Sequence, residues 1–220
     1  MAASQQSPYV VHGAMRSSAA YRLRIVMKLK GLAYREFFLD LNKGEHWSAD
    51  YLRVNPQALV PALVLPDGGV VTQSMAIIEY LDEMHPEPAL LPRDARGRAR
   101  VRSLAQMIAC DIHPLNNTRV RNHVRELFPH DPEAVPVWMD RWSKAGFDAI
   151  EARLARDAET GLFCHGDTPT MADALLVPQV ANARAANRDL SLYPTIVRID
   201  AACAKLEPFD AARPDRQQAG

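Results

Sequence analysis

Pro61 lies inside the apolar run Asn55-Pro56-Gln57-Ala58-Leu59-Val60-Pro61-Ala62-Leu63, and few folds tolerate a proline there. Proline has no N–H to give to a ladder, so a strand admits it only at its first residue, at an edge or at a bulge. The segment reads as a loop entering a short strand through the Val60–Pro61 bond, which a tight turn allows to be cis. Such a bond turns the Val60 backbone outward, where an extended peptide could pair with its N–H and C=O. Downstream, Gln73-Ser74-Met75-Ala76-Ile77-Ile78-Glu79-Tyr80-Leu81 reads as a helix entered through Ser74, with the polar Gln73 before it. A helix start offers unpaired N–H groups, and here a hydroxyl, which together suit a carboxylate. A peptide clamp beside a carboxylate site describes a pocket for a small acidic peptide. Glutathione has that chemistry.

Around these two segments the pattern predicts a compact α/β layer over residues 8–85. Strands are expected near Tyr9–His12 and Tyr34–Asp40, with a helix near Ser17–Lys30 between them. A loop with Gly44, His46 and Trp47 leads to a helical stretch at Ser48–Val54. Pro66-Asp67-Gly68 marks a hairpin between Ala62–Leu65 and Gly69–Thr72, because Asp-Gly suits a turn with positive φ. A helix over Ser74–Met84 closes a βαβαββα order, that of a thioredoxin-like layer. The proline-rich stretch 86–95 reads as a linker, and residues 1–7 and 213–220 as tails. Over 96–212 strand signals almost vanish. Apolar residues recur at helical spacing in Val101–Ile112, Val137–Leu154, Ala172–Ala186 and Ile196–Leu206, predicting an all-helical second domain. Thr170-Met171-Ala172-Asp173 is a capping box with Asp173 in place of the usual Glu, a structural rather than catalytic element.

Charge narrows the function classes. Lys+Arg and Asp+Glu stand at 26 each, so no global field draws in nucleic acid or a membrane surface. The Arg93-Arg96-Arg98-Arg100-Arg102 run lacks interleaved aromatic groups and is expected to be a solvated helix start or part of a dimer interface. No apolar run is long enough to span a bilayer, and Met1–Ser7 has neither a basic nor an apolar signal region. Cys110, Cys164 and Cys203 are widely spaced, which fits reduced thiols in a cytoplasmic protein. Cys110 and His113 have no second ligand pair at a zinc-like interval, so no metal is expected.

Arg16-Ser17-Ser18-Ala19-Ala20-Tyr21-Arg22-Leu23-Arg24, the NPQALVPAL and QSMAIIEYLDE segments and Asp111-Ile112-His113-Pro114-Leu115-Asn116-Asn117 together resemble the zeta class of glutathione transferases. The likeness continues through Gly166–Asp173 and Val177–Ala183, and covers nearly all of the chain but its ends. It implies a thioredoxin-like glutathione-binding domain, a helical substrate domain and a homodimer. Ser17, at the start of a helix, would donate to the glutathione sulfur anion, with Ser18 beside it. His46 would bind the glycyl carboxylate; Val60 and Pro61 would clamp the peptide; Gln73 and Ser74 would form a carboxylate site for glutathione. Pro114 should kink its helix and present His113, Asn117 and Arg119 toward a ligand. Arg16 would face the acidic substrate, since a guanidinium fork matches a carboxylate. Two departures stand out. Ala19 occupies a position that usually holds cysteine, and Ala185 one that usually holds arginine, with Arg184 one step away.

The resemblance implies glutathione-dependent cis–trans isomerisation of a maleyl-keto acid, either maleylacetoacetate or maleylpyruvate, to its fumaryl isomer. Glutathione would serve as a cofactor that is not consumed, with Ser17 and Arg16 as the catalytic residues and Arg119 and Arg184 as further substrate anchors. A conjugating or dehalogenating transferase is the alternative enzyme, distinguished by net loss of glutathione. A binding protein of the same fold without catalysis is the third reading, and it would have no use for a thiol-activating serine.

Overall fold

The computed structural model describes residues 9–217, so the tail expected over 1–7 lies outside the described residues. The chain forms two compact units. One runs to Ala89 and resumes at Lys205; the other spans Leu90–Ala204.

The first unit is built on a four-stranded sheet of order β2-β1-β3-β4. Its strands are β1 (Tyr9–Gly13), β2 (Tyr34–Phe38), β3 (Ala62–Val64) and β4 (Val70–Thr72). Helices α1 (Ser18–Leu29), α2 (Ala49–Val54) and α3 (Ser74–Met84) complete the expected order. β1 pairs parallel with β2 and antiparallel with β3, and β3 pairs antiparallel with β4. Alternation along β1 sends Val11 into the core with Leu23, Ile25, Leu63, Ile77 and Leu81, all fully buried. His12 points to the opposite face and lies against Phe37 and Tyr51, with ring centroids 5.6 and 5.8 Å away. Burial there holds the His12 imidazole below its ordinary pKa. Gly13 is tightly enclosed: a Cβ would fall 2.4 Å from Glu36 Oε1 and 3.2 Å from Ala20 Cβ, so a larger residue would displace the Glu36 carboxylate. The hairpin forms as expected, with Gly68 at φ +88° and Asp67 Oδ1 accepting from Gly69 N–H at 2.8 Å.

Three buried cations organise this unit. Lys30 donates to Asp82 Oδ1 (2.8 Å), His85 O (2.6 Å) and Pro88 O (2.9 Å), so the first half of the proline-rich stretch is anchored to α1. Arg24 donates to Ala14 O (3.2 Å), Met15 O (2.8 Å) and Ala212 O (3.2 Å), and its Nε lies 3.4 Å from Glu36 Oε1. Arg22, 1% exposed, reaches across to Ser74. The Ala212 bond belongs to a return of the chain that the periodicity did not show. The short helix α10 (Glu207–Ala211) buries Phe209, whose carbonyl accepts from the Tyr21 hydroxyl at 3.3 Å. The expected helical domain of 96–212 therefore ends earlier: residues from Lys205 onward pack with the first unit. The expected tail at 213–220 also begins with structure, a 3₁₀ turn at Pro214–Arg216.

The second unit is helical. Its helices are α4 (Ala95–Gln106), α5 (His113–Asn116), α6 (Thr118–Leu127), α7 (Ala134–Arg156), α8 (Met171–Ala185) and α9 (Pro194–Cys203). Helix α8 is buried on nearly all sides, as the centre of a helical cluster should be. Its capping box forms: Asp173 accepts from Thr170 N–H (2.8 Å), the Thr170 hydroxyl (2.9 Å) and Cys164 N–H (2.8 Å). Asp173→Asn keeps the shape but turns an NH₂ toward one of these donors. It is expected to lower stability by about 2 kcal/mol, read as a lower urea midpoint at unchanged slope.

Two expectations for this unit are corrected. The arginine run is not uniformly solvated: Arg100 is buried and donates to Cys164 O (2.7 Å), Thr160 Oγ1 (2.8 Å) and Asp157 Oδ2 (3.3 Å). The interruption near Pro114 is also placed differently. A π-helical turn over Met107–Ile112 precedes the proline, and the chain breaks at Asn117 (φ −72°, ψ 166°). The wider turn absorbs a ring that would meet the carbonyl one α-turn back.

Candidate functional site

The sheet register brings the sequence-predicted residues of the first unit to one edge. His12 is opposite Ala62, and Ala62 is opposite Thr72. The segment leaving β1 (Ala14–Ser17), the segment entering β3 (Val60–Pro61) and the segment leaving β4 (Gln73–Ser74) therefore share that end of the sheet. Gly13 is opposite Phe38 in the parallel pair, and Leu39 N–H bonds Gly13 O at 2.8 Å. The loop carrying His46 departs from the same edge.

Ser17 is the N-cap of α1, its Oγ accepting from Ala20 N–H at 3.2 Å. A hydroxyl has one proton and two lone pairs, so this cap leaves the proton for another acceptor. Ser18 is buried as the first helical residue, and Arg16 is exposed at the turn before it. The Val60–Pro61 bond is cis. Among the described residues no backbone bond uses the Val60 N–H or C=O. Its approach is held rigidly: Asn55 Nδ2 donates to Leu59 O at 2.7 Å, and Asn55 Oδ1 accepts from Gln57 N–H at 3.1 Å. Gln73 has a positive φ of 69°, uncommon without glycine, and donates through Nε2 to Gln57 Oε1 at 2.8 Å. Among the described residues no side chain caps α3, which leaves its first N–H groups, beside the Ser74 hydroxyl, for another partner. His46 lies in a 3₁₀ turn, Glu45–Trp47, with its Nδ1 buried and lacking a partner among the described residues.

The remaining candidates lie in the second unit. His113 opens α5, and Arg119 is exposed at the start of α6. Asn117 caps α6, its Oδ1 accepting from Val120 N–H at 3.1 Å, which leaves its NH₂ as the group able to meet a ligand. Arg184 donates to Asp200 Oδ2 at 2.6 Å, so its charge is paired within α8 and α9. That engagement weighs against its expected use as a substrate anchor. Cys164 and Cys203 are buried and their thiols are pushed up by burial, so neither is a thiolate. Cys110 is exposed. Among the described residues no cluster of three or more His, Cys, Asp or Glu could hold a metal ion.

Family models for the glutathione S-transferase N-terminal and C-terminal domains match residues 16–84 and 143–216. A maleylpyruvate isomerase of Ralstonia sp. is 50% identical over 204 residues, spanning 92% of this chain and 95% of that protein. A structure of a zeta-class maleyl pyruvate isomerase superposes with a TM-score of 0.91 at 47% identity, covering 94% of this chain and 98% of that one. The chain belongs to the zeta class of glutathione transferases. A maleylacetoacetate isomerase of Rhizobium meliloti is 45% identical over 94% of this transferase and 96% of its own length. That of Methylobacterium extorquens AM1, solved with malonate and glutathione bound, superposes with a TM-score of 0.92 at 41% identity. It covers 96% of this transferase and 99% of that chain. Sequence reasoning missed Asn55, Gln57 and Arg22, which hold the first-unit site from behind. A hydrophobic pattern carries no signal for a buried arginine.

Proposed function

We propose that this transferase is a glutathione-dependent cis–trans isomerase of a maleyl-keto acid, forming the fumaryl isomer. The observation that carries the reading is the shared sheet edge, where one chain end of each strand supplies a different part of a glutathione site. The residues present fit that peptide. Val60 offers an unpaired backbone edge to an extended chain, Ser74 and the uncapped α3 start offer donors to a carboxylate, and His46 Nδ1 lacks a partner. Gln73, Pro61 and Ser18 complete the wall.

Bound glutathione supplies a nucleophilic sulfur able to add reversibly to an activated alkene. Ser17 directs its free proton toward that sulfur and, with the α1 N-terminus, favours the thiolate over the thiol. Arg16 stabilises negative charge developing on a conjugated carbonyl oxygen. Arg119 is the anchor for a substrate carboxylate, and His113 and Asn117 are assigned to glutathione. No cysteine is needed at Ala19, because the acting sulfur is not the protein's own. The enzyme acts as a homodimer in the cytoplasm. Among the described residues no helix is long and apolar enough to cross a membrane.

Absorbance decay of maleylpyruvate and of maleylacetoacetate, each with and without glutathione and coupled to the downstream hydrolase, tests the proposal. Glutathione-dependent turnover of one of them is expected and names the substrate. Turnover of neither, beside conjugation of simple electrophiles, would favour a conjugating transferase.

A further inference from the structure

The guanidinium of Arg22 projects from α1 beneath the first turn of α3. It is 1% exposed, and its NH1 donates to Ser74 Oγ at 3.2 Å, with Ser74 itself 8% exposed. An arginine has five N–H donors and no acceptor. The Ser74 oxygen must therefore accept in this contact, and its single proton cannot be spent on Arg22. That proton is left to point away from the guanidinium. A serine without such a neighbour could rotate and use its proton on a nearby carbonyl. We propose that Arg22 is a positioning residue, which locks the Ser74 hydroxyl as a donor to the γ-glutamyl carboxylate of glutathione.

The inference rests on the glutathione reading of the α3 start, but goes beyond it. It assigns a role to a buried charge that touches neither glutathione nor substrate. It also explains why this side chain is arginine, where an apolar residue would avoid the cost of burying a charge. Three features agree with it. Among the described residues helix α3 has no side-chain cap, so no side chain fills the anion-binding position at its start. Gln73, before it, is held at φ 69° and tied to Gln57, so the backbone entry to α3 is fixed as well. A donor-only neighbour acts on hydroxyl orientation alone, which predicts an effect on glutathione affinity and little on the chemical step.

The test is a double-mutant cycle on glutathione affinity and turnover with Arg22→Met, Ser74→Ala and the double variant. A second peptide, 4-aminobutyryl-cysteinyl-glycine, lacks only the γ-glutamyl carboxylate. Arg22→Met is expected to weaken glutathione binding about tenfold, the scale of one hydrogen bond to a charged group, with kcat at saturating glutathione nearly unchanged. In the Ser74→Ala background the same change should have little further effect. The truncated peptide should bind wild type and Arg22→Met equally. Losses that multiply in the double variant, or an equal loss with both peptides, would overturn the role. If Ser74→Ala leaves glutathione affinity unchanged, the α3 reading itself fails, whatever Arg22 does. A crystal structure of the wild-type protein with glutathione gives a result independent of the variants' folding. Ser74 Oγ is expected about 2.6–2.9 Å from a carboxylate oxygen with Arg22 still bonded to it. A hydroxyl turned to a protein carbonyl would contradict the proposal.

Discussion

Ser17→Ala is expected to reduce isomerase turnover about 10²–10³-fold at saturating glutathione, the scale of removing one donor aimed at developing or resident negative charge. The structure separates two jobs of this serine. Its oxygen caps α1 through Ala20 N–H, and its proton is left for a ligand. Losing the cap costs about 1 kcal/mol of stability, visible in a urea titration but too small to unfold a typical domain. Losing the donor should raise the thiol pKa of bound glutathione toward its free value near ~8.5. The pH–rate profile should then shift its rising limb to higher pH, so part of the lost rate returns in alkaline buffer. Ser17→Thr keeps both oxygen and proton and should retain most turnover. An Ser17→Ala enzyme with full activity and an unmoved profile would remove the serine from the mechanism.

Arg24→Met should be among the most destabilising single changes in the first unit, at about 3–5 kcal/mol by equilibrium unfolding. It would strand the carbonyls of Met15 and Ala212, leave Ala14 O with only its bond from Ser17 N–H, and leave Glu36 without its cation. Two of those carbonyls belong to the turn before Ser17, so glutathione affinity should fall together with stability. Glu36 adds a pH dependence with a definite sign. Burial raises its carboxyl from 4.5 to about 7, and Arg24 only partly offsets this. Between those values the folded state holds a proton that the unfolded state has released. The contribution is thus fully present below about pH 4.5 and is lost as pH rises through about 7, a change of up to about 3 kcal/mol. Glu36→Gln should flatten this part of the stability curve. A wild-type curve that rises over the same interval more steeply than that of Glu36→Gln would reverse the assignment.

Much of the first unit was legible because its signals are local. Pro61 excludes itself from a strand interior, Asp67-Gly68 calls for positive φ, and Ser74 opens an apolar run that ends at Met84. The capping box at Thr170 and Asp173 was legible for the same reason. Helix α6 was not. Val120, Val124 and Leu127 do recur at helical spacing, but the stripe is narrow among polar and charged residues and only Val124 is buried, so the signal is easily passed over. The return of Lys205–Ala212 to α1 was hidden because a segment's pattern states that it buries one face, not which partner covers it. Arg22 and Arg24 read as residues for packing and charge pairing, which holds, but their partners Ser74 and Glu36 were not legible because they lie distant in sequence. The site residues at the sheet edge were legible singly; the register that gathers them was not. Arg184 shows the converse, a candidate anchor by family resemblance that the fold pairs with Asp200.

Proton NMR of one reaction mixture tests the central claim most directly. The mixture holds maleylpyruvate or maleylacetoacetate, whichever turns over, with glutathione at a small fraction of its concentration. The cis-alkene signals are expected to be replaced by those of the trans isomer while the glutathione resonances keep their intensity. Conversion that stops once it equals the glutathione present, with a stable conjugate in its place, would contradict the claim.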